Sequence, residues 1–231
     1  MISRTQVKSD WWLPAALLIL VAVPVAAGAV RLAQLIGGVA TPENARFFAM
    51  PVPVVLHIVS ASVFCTLGAF QFVPNFRRRN PSWHRRVGQV LIACGLTAGF
   101  TGLWMTWSYP PAENDGELLT VFRFFFGSAM VVCIALSFVA ARRKYFSQHR
   151  AWMTRGYAIG MGAGTQFLVH IPWLFLRGKP DVLERALLMG AAWVINLAVA
   201  EWSLRRASPR ASAPLETSTL TASQPTHEAA R

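Results

Sequence analysis

Six apolar runs constrain this chain more than any other feature of it. They cover residues 11–36, 51–73, 87–107, 118–141, 152–176 and 186–204. Each is about 19 to 26 residues long, enough to cross a ~30 Å hydrocarbon core as a helix. A membrane barrel would show segments of about ten residues with alternating polarity, and nothing in the sequence alternates that way. Of the 231 residues, 54% are hydrophobic and 14% charged, against about 25% charged in an ordinary soluble domain. A soluble enzyme, a disordered chain and a disulfide scaffold are thereby excluded. The sequence predicts an all-α polytopic membrane helix bundle over residues 1–206, with six transmembrane helices and a four-helix core made of spans two to five. Spans one and six are expected to flank that core. Residues 207–231 are rich in Ala, Ser, Thr and Pro, show no apolar period, and are expected to be a disordered tail.

The chain carries 22 Lys and Arg against 10 Asp and Glu, a net charge of +12. In a soluble protein such an excess suggests nucleic acid. Here the bases lie in the gaps between apolar runs, so they report orientation in a lipid bilayer and no nucleic-acid partner is expected. The side that holds the N-terminus collects most of them, including Arg77, Arg78, Arg79, Arg142, Arg143 and Arg150. The opposite side mixes Arg46, Arg123 and Arg185 with Asp115, Asp181 and Glu184. The positive-inside rule makes the basic side cytoplasmic, with both termini inside, in a bacterial inner membrane. Ala27-Gly28-Ala29 resembles a signal-peptidase site. The run around it is longer than a usual signal core and opens with Trp11-Trp12, so it is read as a retained helix. Cys65, Cys94 and Cys133 each sit within an apolar run, which favours packing over pairing.

Glycines recur at helical spacing: Gly88, Gly95, Gly99 and Gly102 in the third span, Gly156, Gly160 and Gly164 in the fifth. Such spacing lets helix backbones approach closely in lipid, or leaves room for a flat cofactor. A faint internal echo accompanies it. His84-Arg85 opens the third span and His149-Arg150 the fifth, and glycines follow both at the same offsets.

Ionisable groups inside a bilayer are costly and tend to be functional. His57 lies about six residues inside the second span and His170 about six residues before the end of the fifth, so both sit ~9 Å below the same face. Arg123, near the start of the fourth span, reaches a similar depth. Two neutral imidazoles on facing helices suit the axial positions of a b-type haem, with Arg123 pairing a propionate. Gln166 or Ser60 is expected to orient an imidazole through its second nitrogen. The alternative is a polar core in which the histidines bond each other or backbone. His84 and His149 form a second level pair on the basic side, suited either to a second haem iron or to a lipid-phosphate anchor. Along one straight helix His149 and His170 would stand ~31 Å apart. Glu201, four residues from Arg205, is expected to form a contact within its own helix. Phosphate-loop, HExxH and GxSxG motifs are absent from the sequence.

His84-Arg85-Arg86-Val87-Gly88 resembles an HRRxG element, and the segment from His149 through Met153 to Ala158 resembles an HRxWMxRxxA element. His57, followed by Gly68 and Gln71, is similar to a first histidine helix. These elements belong to the bacterial membrane-protein family catalogued as domain of unknown function 2306, and the resemblance covers about residues 54–175. It implies a membrane protein and marks His57, His84 and His149 for test, without implying a reaction. The layout is also similar to that of transmembrane di-haem b-type cytochromes. The function expected first is therefore haem-b electron transfer between a small donor or quinol and an acceptor, a membrane oxidoreductase if it is an enzyme. The others are a haem-free transporter of a small solute, using His57, Arg123 and His170, and a structural or regulatory membrane protein. The sequence sets no oligomeric state.

Overall fold

The computed structural model describes residues 11–207; the expected tail lies almost wholly outside them. The described residues form nine helices and no strand. They are α1 (Trp12–Gly37), α2 (Ala45–Ala49), α3 (Pro51–Phe70), α4 (Pro74–Arg79), α5 (Pro81–Ser108), α6 (Glu117–Arg142), α7 (Phe146–Gly160), α8 (Gly162–Arg177) and α9 (Val182–Ala207). Five of these, α1, α3, α5, α6 and α9, are long and apolar enough to cross a membrane alone. The pair α7 and α8, bent by 44° at Met161, passes the same test together and brings the candidate spans to six if it crosses as one broken span.

The spans pack in a closed order. α3 lies between α1 and α5, α6 follows α5, α7 lies against α6 and touches α3, and α9 covers α6, α7 and α8. Contact between α8 and α1 closes the ring. Large apolar side chains such as Ile36, Phe100, Phe125, Phe175 and Val194 point outward. In water that surface would cost free energy; in lipid it is the expected one.

Without a hydrophobic drive between helices, association in lipid depends on close van der Waals packing. Glycine supplies it here. The ring of Phe64 is 1% exposed and is held on one side by Gly95 of α5 and on the other by Gly160 of α7. A Cβ at either glycine would come within 2.7 or 2.9 Å of that ring. The two glycines at matching offsets in the sequence echo thus clasp one aromatic side chain. Gly164 lets α8 meet the backbone of α1 at Leu20, and Gly28 of α1 accepts Ile58 of α3. Gly88 has open space around it, so close packing does not explain that position.

The break in the fifth span also has a local cause. Gly156, Gly160, Gly162 and Gly164 crowd one stretch, and glycine is a weak helix former that kinks helices where it clusters. Before the bend, α7 packs closely on α6; beyond it, α8 leaves α6 for α1 and α9. The bundle is consequently tight on the basic side and parted on the far side. A straight path from His149 to His170 does not exist. α5 starts at Pro81 and α7 at Phe146, earlier than the apolar runs begin, so His84 and His149 stand inside helices rather than ahead of them.

Candidate functional site

The parting of α8 from α6 leaves a cavity of about 590 Å³ on the far side of the bundle. His57 of α3, Ala98, Gly99 and Gly102 of α5, and Gly127 of α6 line its walls. Gly160, Ala163 and Gln166 line it from the bend, and Met189 and Trp193 from α9. Arg46, Tyr109, Asp115 and Arg123 ring its mouth. A smaller cavity of about 190 Å³ lies between α1, α3 and α8, and His57 and Met130 line both.

His57 donates from Nδ1 to the carbonyl of Ala98 at 2.9 Å, with the Thr101 hydroxyl 3.3 Å from the same nitrogen. That bond places a proton on Nδ1 and leaves Nε2 as the nitrogen not taken up by the protein. Ser60 does not orient it, because the Ser60 hydroxyl returns to the carbonyls of Leu56 and His57 on its own helix. His170 shows the same arrangement by a different route. Its Nδ1 donates to the backbone carbonyl of Gln166 at 2.7 Å, and its Nε2 is buried with no protein partner. The Gln166 side chain takes no part, and its amide nitrogen is itself unpartnered. His170 lies one turn outward from Gln166 on the helix face that also carries Ala163. It is not among the residues lining the cavity, whereas His57 and Arg123 are.

Arg123 is not a free guanidinium. It bonds Asp115 at 2.7 Å, and Arg185 of α9 reaches the other oxygen of the same carboxylate at 3.1 Å. The Asp115 side chain is 3% exposed. Burial alone would push its pKa up. The hydrogen bond and charge of Arg123, joined by Arg185, outweigh that and hold the carboxyl below its ordinary value. Arg46 lies close by and donates to the Pro110 carbonyl at 3.0 Å. Burial, with Arg123, Arg31 and Arg185 nearby, lowers the pKa of Arg46 in spite of Asp115. The mouth therefore holds more guanidinium than carboxylate and favours an anion. Sequence reasoning missed Asp115 and Arg46 as site residues. The first lies in a loop and the second on a one-turn helix, and neither interrupts an apolar run.

On the basic side His84 lies within electrostatic reach of His149. His149 Nδ1 lies 3.0 Å from the Ser137 carbonyl and 2.8 Å from its hydroxyl. His84 Nδ1 is buried without a partner. Glu201 does not settle on Arg205. It takes a two-pronged ion pair from Arg155 of α7, across helices, the second contact being 3.1 Å. The three cysteines are free, and Cys65 packs against the Gly160 carbonyl. No group of three or more His, Cys, Asp or Glu side chains converges among the described residues. A closed metal cage is therefore not built there, whereas one or two imidazoles with Nδ1 tied to backbone remain competent ligands through Nε2.

Most of these elements, though not α1, α2 or Arg46, lie within one family's bounds. Residues 54–204 match the family described as Predicted membrane protein (DUF2306). The chain belongs to that family. The match extends past the four spans that carry the sequence resemblance and takes in most of α9. No curated protein and no solved structure matches the chain.

Proposed function

We propose that the far-side cavity receives one b-type haem and that this DUF2306 protein passes electrons between a small donor or quinol and an acceptor. One observation carries the reading. A neutral imidazole, His57, is held by a backbone carbonyl so that only its Nε2 is left to ligate, in the wall of a cavity bordered by glycine and alanine and rimmed by arginine. The cavity volume falls in the range of cofactor pockets, about 300–1,000 Å³. Gly102 brings α5 close to the His57 ring, where a Cβ would stand 3.3 Å from it, and Arg46 and Arg123 suit the carboxylate arms of the group. The bound iron would supply one-electron chemistry. The protein would hold it, exclude water and fix the tautomer of its ligand. His170 is the second ligand in this reading, and the thioether of Met130 is its rival. The excess of bases at one end supports a cytoplasmic location for that end, in a bacterial inner membrane.

A visible spectrum of the detergent-purified protein tests the reading, taken oxidised and dithionite-reduced after expression with adequate haem. A strong Soret band with sharp reduced bands is expected, and its complete loss in His57→Ala. His170→Ala and Met130→Leu then assign the second ligand. A colourless wild-type protein overturns the proposal.

A second reading rests on a different observation. The fifth span is broken beside the cavity, as helices of solute transporters are at their binding sites. A haem-free permease for a small anion would use His57 and Arg123 there. Thermal stabilisation by the solute, with no visible absorbance, would support it.

A further inference from the structure

The basic end of the bundle gathers cations that nothing in the described structure neutralises. Arg77 of α4 is half-buried and stands within electrostatic reach of Arg78, of Arg150 at the start of α7 and of His84 at the start of α5. His84 in turn lies within electrostatic reach of His149. Three separate helices supply these groups, so tertiary packing, not sequence adjacency, forces like charges together. Glu201, near the basic end of α9, is already engaged by Arg155. Like charges held together cost free energy unless an anion joins them. A second observation points the same way. His84 Nδ1 and both amide atoms of Gln71, at the basic end of α3, are buried with no protein partner. Buried polar atoms of this kind call for water or a ligand. The site also sits at interfacial depth, beside a belt in which Trp11 meets Phe70 and Phe76, and Phe76 meets Trp83.

We propose that this end binds a phosphate group, with Arg77, His84, His149 and Arg150 as its cationic partners. Guanidinium forks and imidazole N–H groups converging from three sides match the several acceptor oxygens of a phosphate better than the two of a carboxylate. The group belongs either to an anionic phospholipid or to a free phosphate. Burial, with Arg150 and then Arg78 nearby, pushes the Arg77 guanidinium below its ordinary value, consistent with a cation awaiting a counter-ion. Nothing in this inference depends on the haem reading.

The test uses the full chain in a neutral detergent and follows its thermal unfolding midpoint. One arm titrates inorganic phosphate against chloride at matched ionic strength. The other compares mixed micelles of phosphatidylglycerol with those of a neutral, phosphate-free glycolipid. A rise with phosphate identifies a soluble ligand, a rise with phosphatidylglycerol alone a headgroup, and either supports the proposal. Arg150 is exposed, so Arg150→Gln leaves the packing intact; it should raise the half-saturating concentration about five-fold. Arg77→Gln should raise it further. Equal midpoints in both comparisons overturn the proposal, as does an Arg150→Gln protein with the wild-type response. Loss of a haem band in His84→Asn, with that response intact, gives the pair to an iron and overturns it too.

Discussion

The two ends of this bundle are both rich in arginine and treat it in opposite ways. At the far end a single buried carboxylate, Asp115, serves both Arg123 and Arg185, and the helices part to leave a cavity beside it. At the basic end Arg77 stands within electrostatic reach of Arg78 and Arg150, and α7 packs closely on α6. The contrast teaches that net charge alone does not describe the arginines at the ends of a membrane bundle. An arginine with a carboxylate stabilises the fold, whereas arginines without one hold repulsion that the close-packed helices beneath them must outweigh.

The largest expected effect breaks the far end. Asp115→Asn leaves two guanidinium groups facing a neutral amide and should lower stability in detergent by about 2–3 kcal/mol, read as a fall in the thermal midpoint. An unchanged midpoint would mean that the two ends do not differ in the way described. The same carboxylate sets an acid limit. Because its folded pKa lies below the unfolded one, its stabilisation is complete above about pH 4 and is lost as the pH falls through the folded value. The stability gap between wild type and Asp115→Asn should therefore close in acid; a gap that widens there contradicts the assignment.

Glu201→Gln sharpens the contrast within the basic end. The Arg155–Glu201 pair is partly exposed on both sides, so about 0.5–1 kcal/mol is expected. A double-mutant cycle with Arg155→Gln should recover most of it as coupling. A smaller gain should come from Lys144→Gly. Lys144 has a φ of 63° where the chain turns from α6 into α7, a left-handed conformation that suits glycine. Thermal unfolding should show a gain of about 0.5 kcal/mol. The smallest effect is expected for exposed Arg78→Gln, a few tenths of a kcal/mol toward greater stability, disappearing at high salt. A clear loss of stability there would show that the arginine has a partner after all.

The order and approximate limits of the apolar helices were legible because an apolar run of membrane length has few other uses. α3 begins at Pro51, as the second run predicts, and ends at Phe70. His57 and Arg123 stood out for the same reason, as polar groups within apolar stretches, and both line the cavity. The fifth span was legible only as a length. Its glycines signalled close packing, and they provide it at Gly160 and Gly164, but the 44° bend they allow at Met161 follows from which neighbours each half prefers. Asp115 and Arg46 were not legible as a site, since loop residues carry no period and their partners are 8 to 70 residues away.

By itself, then, the sequence determined a helical membrane bundle with a basic face, because the lipid solvent leaves a chain of such hydropathy almost no alternative. Tertiary structure decided the rest. Which carboxylate neutralises which arginine, which carbonyl orients each imidazole and where the helices part all depend on side chains from different spans meeting at one depth. Such meetings are set by helix rotation and bending, which short-range packing fixes and hydropathy does not encode.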